Sequence, residues 1–216
     1  MKMSPLDAHH LLGRPKAHTG GIIAVCEQMG DMVRFSEIED HKILGVIGLA
    51  KFGKSSLKKI LKEASLLPKV KVLREVSPLI DPVWENGVKI ASKLGYSCEV
   101  EVEEEKLFQL IRIAEHNPKT LFILAINQPT RKTPDLKELS YFENVVIKII
   151  AKTTSYEKLK GTALDLIDLF LTERVMFGAF SESRYLELLK IVDDFSEEEK
   201  ENLFYTTARK WYNLIS

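Results

Sequence analysis

Val145-Val146-Ile147-Lys148-Ile149-Ile150, a helical run from Tyr156 to Leu171, and then Arg174-Val175-Met176-Phe177-Gly178 form the stretch on which the fold turns. The first and last pieces are short and apolar almost throughout, the pattern of strands buried on both faces. Strand, helix and strand in that order predict a parallel pair joined by a crossover helix.

The same alternation extends back along the chain. Leu6 to Gly13 opens with a short apolar strand, Ile22 to Cys26 reads as a second and Ile43 to Gly48 as a third. A helix follows, with Leu57, Ile60, Leu61 and Ala64 on one face and Lys58, Lys59, Lys62 and Glu63 on the other. Val70 to Arg74 is a fourth strand. Asp81-Pro82 then starts a helix with its cap and its first-position proline, and Gly95 ends it. Cys98 to Glu103 alternates strictly as a fifth strand, Lys106 to His116 is a helix, and Leu121 to Ala125 is a sixth strand. The quoted stretch supplies strands seven and eight. The last helix opens on a capping box, Ser196 and Glu199, and carries an apolar stripe of Leu203, Phe204, Thr207, Ala208, Trp211 and Tyr212.

Eight strand-helix units in 216 residues predict an α/β protein, a (β/α)8 TIM-type barrel of one domain spanning 1–216. Such barrels typically run to about 250 residues. The shortage falls early, where the loops after strands one and two are too brief for full helices. An open doubly wound sheet is the competing architecture.

Bulk composition narrows the function classes. Lys+Arg and Asp+Glu both number 31, so net charge points to neither nucleic acid nor a membrane surface as partner. Cys26 and Cys98 sit in apolar runs and read as buried, reduced thiols of a cytoplasmic chain. A charged fraction of 29% with three glutamines leans toward a heat-adapted source. There is no apolar run long enough for a signal peptide or a membrane span.

From Glu173-Arg174-Val175-Met176-Phe177-Gly178 to the final Ala208-Arg209-Lys210-Trp211-Tyr212, the chain resembles the amidohydrolase-related family of metal-dependent barrel hydrolases. Asp7-Ala8-His9-His10, Arg74, Phe122-Ile123-Leu124 and Asn144 to Lys148 resemble it in the right order. The resemblance implies a barrel with its site at the C-terminal strand ends. It also implies a metal set that this chain lacks. The second histidine of the opening motif is Leu11, the sixth-strand histidine is replaced by Ala125-Ile126-Asn127, and Phe180 stands where an aspartate should be. Asp7 and His9 remain, and two ligands do not make a catalytic metal site. The expectation is a hydrolase without metal or other cofactor, or an inactive barrel serving as a binding or assembly subunit, in either case open to homo-oligomer formation.

Three further signals bear on function. On the fifth strand Cys98, Val100 and Val102 are predicted to face the helices, and Glu99, Glu101 and Glu103 the barrel interior. Arg74 and Lys148 then face the same interior. Glu101 thereby joins Asp7 and His9, which the resemblance implies, as the candidate catalytic residues. Arg74, Asn127 and Lys148 become candidates for binding a small carboxylated or carbonyl substrate. The alternative is a salt-bridge network filling a dead site, with Asp7, His9 and His10 as strand-end remnants. Finally, Gly48-Leu49-Ala50-Lys51-Phe52-Gly53-Lys54-Ser55 matches the phosphate-loop pattern between a strand and a helix, and a nucleotide binder is the third reading. No later strand ends in the aspartate such proteins use around magnesium.

Overall fold

The computed structural model describes residues 8–11, 22–26, 43–67, 70–150, 154–178 and 182–213. Eight strands run in sequence order across one sheet. They are β1 (Ala8–Leu11), β2 (Ile22–Cys26), β3 (Ile43–Leu49), β4 (Val70–Val76), β5 (Ser97–Glu101), β6 (Phe122–Ile126), β7 (Val145–Ile149) and β8 (Val175–Phe177). Each strand from β3 to β8 is followed by a helix: α1 (Leu57–Ala64), α2 (Pro82–Lys93), α3 (Leu107–His116), α4 (Pro134–Leu139), α5 (Tyr156–Phe170) and α6 (Glu182–Ile191). The chain closes with α7 (Glu197–Glu201), a π-helical turn Asn202–Thr206 and α8 (Thr207–Trp211).

Strands β2 to β8 pair in parallel, as the alternation predicts, and the architecture is a partial TIM-type barrel. One pairing departs from that plan. β1 runs antiparallel to β2. The reason lies in the connection: only residues 12–21 separate them, and a parallel crossover needs about a dozen residues or more. Among the described residues no ladder joins β8 back to β1.

The two faces of the sheet bury two different cores. Outside, alternate strand residues such as Leu73, Cys98, Val100, Leu124 and Ile147 pack against Leu57, Trp84, Leu110, Leu166 and the rest of the helical layer. Inside lies a smaller core of Ile47, Val72, Ile123, Val146 and Met176, capped by Ala208, Trp211 and Tyr212. α8 therefore plugs the N-terminal end of the barrel. Thr207 donates to the carbonyl of Thr172, Trp211 Nε1 to that of Glu173, and Ser97 Oγ to that of Trp211.

Local signals set the element ends. Asp81 accepts from the Trp84 amide at 2.8 Å, and Gly95 takes φ +85° just past α2. Ser196 and Glu199 form the reciprocal capping box. Glu103 departs from expectation. β5 ends at Glu101, and Glu103 turns to solvent, paired with Lys106. Among the described residues no helix is long and apolar enough to cross a membrane.

Gly87 is a packing glycine. A Cβ there would lie 2.0 Å from the Phe52 carbonyl oxygen, a backbone atom that cannot turn away. Gly87→Ala is expected to lower unfolding free energy by about 1–3 kcal/mol or more through overpacking. Urea denaturation reads this directly, and an unchanged midpoint would mean that α2 does not sit this close to the β3–α1 turn.

Candidate functional site: a charged network inside the barrel

The inward residues of β4, β5 and β7 are not all apolar. Arg74 lies beside Glu99 in the β4–β5 register, and Lys148 faces the same interior from β7. Glu99 is the centre. Its Oε1 accepts from Arg74 Nη1 at 2.9 Å, both its oxygens accept from Lys148 Nζ at 2.9 Å, and Oε2 accepts from the Tyr212 hydroxyl at 2.9 Å. Glu99, Lys148 and Tyr212 are fully buried, and Arg74 very nearly so. Two residues further along β5, Glu101 accepts from the other arm of Arg74 through Oε2 and from Asn127 Nδ2 at 3.1 Å through Oε1.

Two cations thus face two carboxylates, and the cluster is neutral as a whole. Neutrality does not remove the cost of burial. Burial in the barrel pulls the Lys148 ammonium down to about 8; Glu99 opposes that shift and Arg74 adds to it. Burial first, and the neighbouring Glu99 charge second, raise the Tyr212 phenol well above its ordinary value. Burial likewise raises the Cys98 thiol, which makes it unreactive.

Glu101 is the member that meets solvent. Its side chain is 22% exposed. It lines a cleft of about 440 Å³ at the C-terminal ends of β5 and β6, with Ser77, Asn127, Gln128 and Thr130. A second cleft of about 610 Å³ shares Glu104, Pro129 and Thr130 with the first and runs on along α5. The C-terminal strand ends are where barrels of this type place their sites.

Of the six candidates from sequence, the structure brings Arg74, Glu101, Asn127 and Lys148 together. Asp7 lies outside the described residues, as does Phe180, and His9 is placed only as a backbone position of β1. Arg74 and Lys148 are engaged by Glu99 and Glu101, not turned toward the cleft. The sequence marks Glu101 as an acid or base and sets Tyr212 in the apolar stripe of the last helix. The hub is Glu99, and Tyr212 completes it. The period-two alternation of β5 signals Glu99; nothing local signals that a tyrosine 113 residues away reaches it.

The resemblance implies a metal centre, and Asp7, one of its candidate ligands, lies outside the described residues. Among the described residues no group of three His, Cys, Asp or Glu side chains could hold a metal ion. The interior of β4 and β7 presents cations, and both Glu99 oxygens are occupied by donors.

The phosphate-loop segment has three of its amides bonded within the chain. A phosphate needs the loop amides. Here the Ala50 amide bonds the Arg74 carbonyl, the Lys54 amide bonds the Lys51 carbonyl, and the Phe52 amide bonds the Glu75 carboxylate at 2.7 Å. Trp84 Nε1 donates to the same oxygen, and Lys51 lies 3.6 Å from the other. The chain's own carboxylate thus takes the Phe52 amide and lies beside Lys51.

Lys148 makes folding pH-dependent. A native lysine at about 8 against about 10.5 unfolded leaves the unfolded chain holding more protons between those values. Its contribution to stability therefore rises as pH climbs from about 8 to 10.5. Cys98 and Tyr212, shifted the other way, remove stability on ionising in the unfolded chain. The comparison with Lys148→Met isolates the lysine: the stability gap between the two proteins in urea should widen from pH 8 to pH 10. A constant gap would place the Lys148 titration at its ordinary position.

No protein-family model matches the sequence, and no curated protein matches it either. Solved structures do match. An amidohydrolase from Burkholderia multivorans with bound zinc superposes at a TM-score of 0.74 and 17% identity, over 89% of this chain and 83% of that one. Amidohydrolase 2 from Bifidobacterium longum subsp. infantis gives 0.67 and 17%, over 89% and 80%. A Pseudomonas putida protein assigned as a 2-pyrone-4,6-dicarboxylic acid hydrolase gives 0.65 and 14%, over 87% and 77%. This chain has the barrel fold of the amidohydrolase structures.

Proposed function

We propose that this chain is an amidohydrolase-type hydrolase that works without the metal centre of that fold. It opens a small carbonyl compound, a lactone or an amide, at the C-terminal mouth of the barrel. One observation carries the reading: Glu101 is a part-exposed carboxylate in the mouth cleft, aimed by Arg74 and Asn127 from below. In this reading Glu101 takes a proton from water as the water oxygen bonds to the carbonyl carbon. The C–O or C–N bond then breaks, and the protonated Glu101 returns its proton to the leaving group. Arg74 and Lys148 act as supports, since both are spent on Glu99 and Glu101. That favours the carbonyl substrate over the carboxylated one. The fold likeness supports hydrolysis as the reaction class, and the buried Cys98 thiol suits a reducing cytoplasm. Zero net charge argues for a small-molecule ligand over nucleic acid or membrane.

A second reading is a filled, non-catalytic barrel retained for binding or assembly. The observation behind it is the completeness of the network: Glu99 has donors on both oxygens, and Tyr212 occupies the interior from below.

Turnover of a lactone and amide panel, with and without chelator, decides between them. Hydrolysis is expected to survive chelation, and Glu101→Gln is expected to lower kcat by about 10²- to 10⁴-fold. Activity lost to chelator, or Glu101→Gln as fast as the parent, would overturn the metal-free mechanism. Silence across the panel would leave the non-catalytic barrel.

A further inference from the structure

At the mouth of the barrel, between the ends of β6 and β7 and the start of α5, lies a small recess lined by Ile126, Ile149, Pro129, Thr162 and Thr154. Thr154 is 9% exposed, and its hydroxyl is the one buried side-chain polar atom left without a hydrogen-bond partner among the described residues. Its backbone is held in place, with the carbonyl accepting from Arg184 Nη2 at 2.6 Å. The recess has no room for a water molecule, so solvent does not supply the missing partner. A buried hydroxyl without a partner is costly to folding, and such groups in native proteins call for an explanation.

The wall that closes the recess is tied to α5 through two hydrogen bonds. Pro129 faces the recess and also both clefts. The segment 128–132 that carries it is strapped to α5 by the Thr130 amide on Thr162 Oγ1 at 3.1 Å and by the Thr162 hydroxyl on the Thr130 carbonyl at 3.1 Å. Beyond these, Lys132 pairs with Asp168 and Asp165 at the surface. Exposed ion pairs contribute little. The strap ends at Thr133, which caps α4 through its own side chain, so a hinge can form there without unwinding the helix. Lifting it would join the recess to the cleft that Glu101 lines, since Ile126, Gln128 and Pro129 border both.

The geometry points to Thr154 as a ligand-binding residue whose hydroxyl donates to the carbonyl oxygen of a small neutral ester or amide admitted when the 128–132 strap lifts. This deepens the hydrolase reading and rests on it for the ligand's chemistry. The recess requires a neutral polar group because apolar side chains line most of it, which excludes a carboxylate.

The test is binding, which needs no turnover. γ-Butyrolactone and N-methylacetamide are titrated into the whole chain, and the Ile126 and Ile149 methyl signals are followed by NMR. In the parent both signals should shift and saturate. Thr154→Val keeps the shape and removes the hydroxyl. It should raise Tm by about 3 °C and weaken the probes about three- to tenfold. Thr162→Val combined with Lys132→Ala should speed amide exchange at Gln128 and Thr130 and tighten probe binding. Thr154→Val with a lowered Tm and unchanged affinity would show a partnered, structural hydroxyl and overturn the proposal. So would methyl signals that stay still in both the parent and the strap-loosened variant. If the probes bind at the recess while Glu101→Gln loses no activity, the hydrolase mechanism fails and the subsite stands.

Discussion

The carboxylate of Glu99 ties the barrel together. It draws Arg74 from β4, Lys148 from β7 and Tyr212 from the C-terminal segment onto two oxygen atoms. Charges this deep survive only when each is met, and breaking one such contact leaves a naked charge behind. The network is therefore intolerant of slippage. A one-residue register shift in β4, β5 or β7 would turn a charge outward into the helix layer and bring an apolar residue into its place.

That constraint explains how the two ends of the barrel are linked. Tyr212 enters from the N-terminal end beside Trp211, and Glu101 meets solvent at the C-terminal mouth. Between them runs an unbroken line from Tyr212 to Glu99, Arg74, Glu101 and Asn127. The apolar stripe of the last helix does more than close the barrel floor, because its final tyrosine is also a hydrogen-bond donor to the central carboxylate.

The Gly48–Ser55 segment shows how a local pattern meets contacts from elsewhere in the chain. Its glycines, lysine and serine stand at phosphate-loop spacing between a strand and a helix. Glu75, 23 residues on from Phe52, reaches over from β4 and takes the amide that an anion would need. A motif records what a backbone could bind. The tertiary structure determines what is already bound there.

Alternating apolar runs and amphipathic helices made the sequence sufficient for the parallel strands, the helix ends and the inward face of β5, because these follow from periodicity and capping within a few residues. The short span between β1 and β2 also carried the reason for their antiparallel pairing, although only the ladder showed it. The sequence placed Arg74, Glu101 and Lys148 on interior faces, since side-chain direction alternates along a strand. It could not rank them. Which carboxylate becomes the hub, which cation it shares, that a tyrosine near the chain's end completes it, and that Thr154 is left without a partner depend on contacts between residues far apart in the chain. Those distances are set by the curvature of the sheet, and only the tertiary structure decides them.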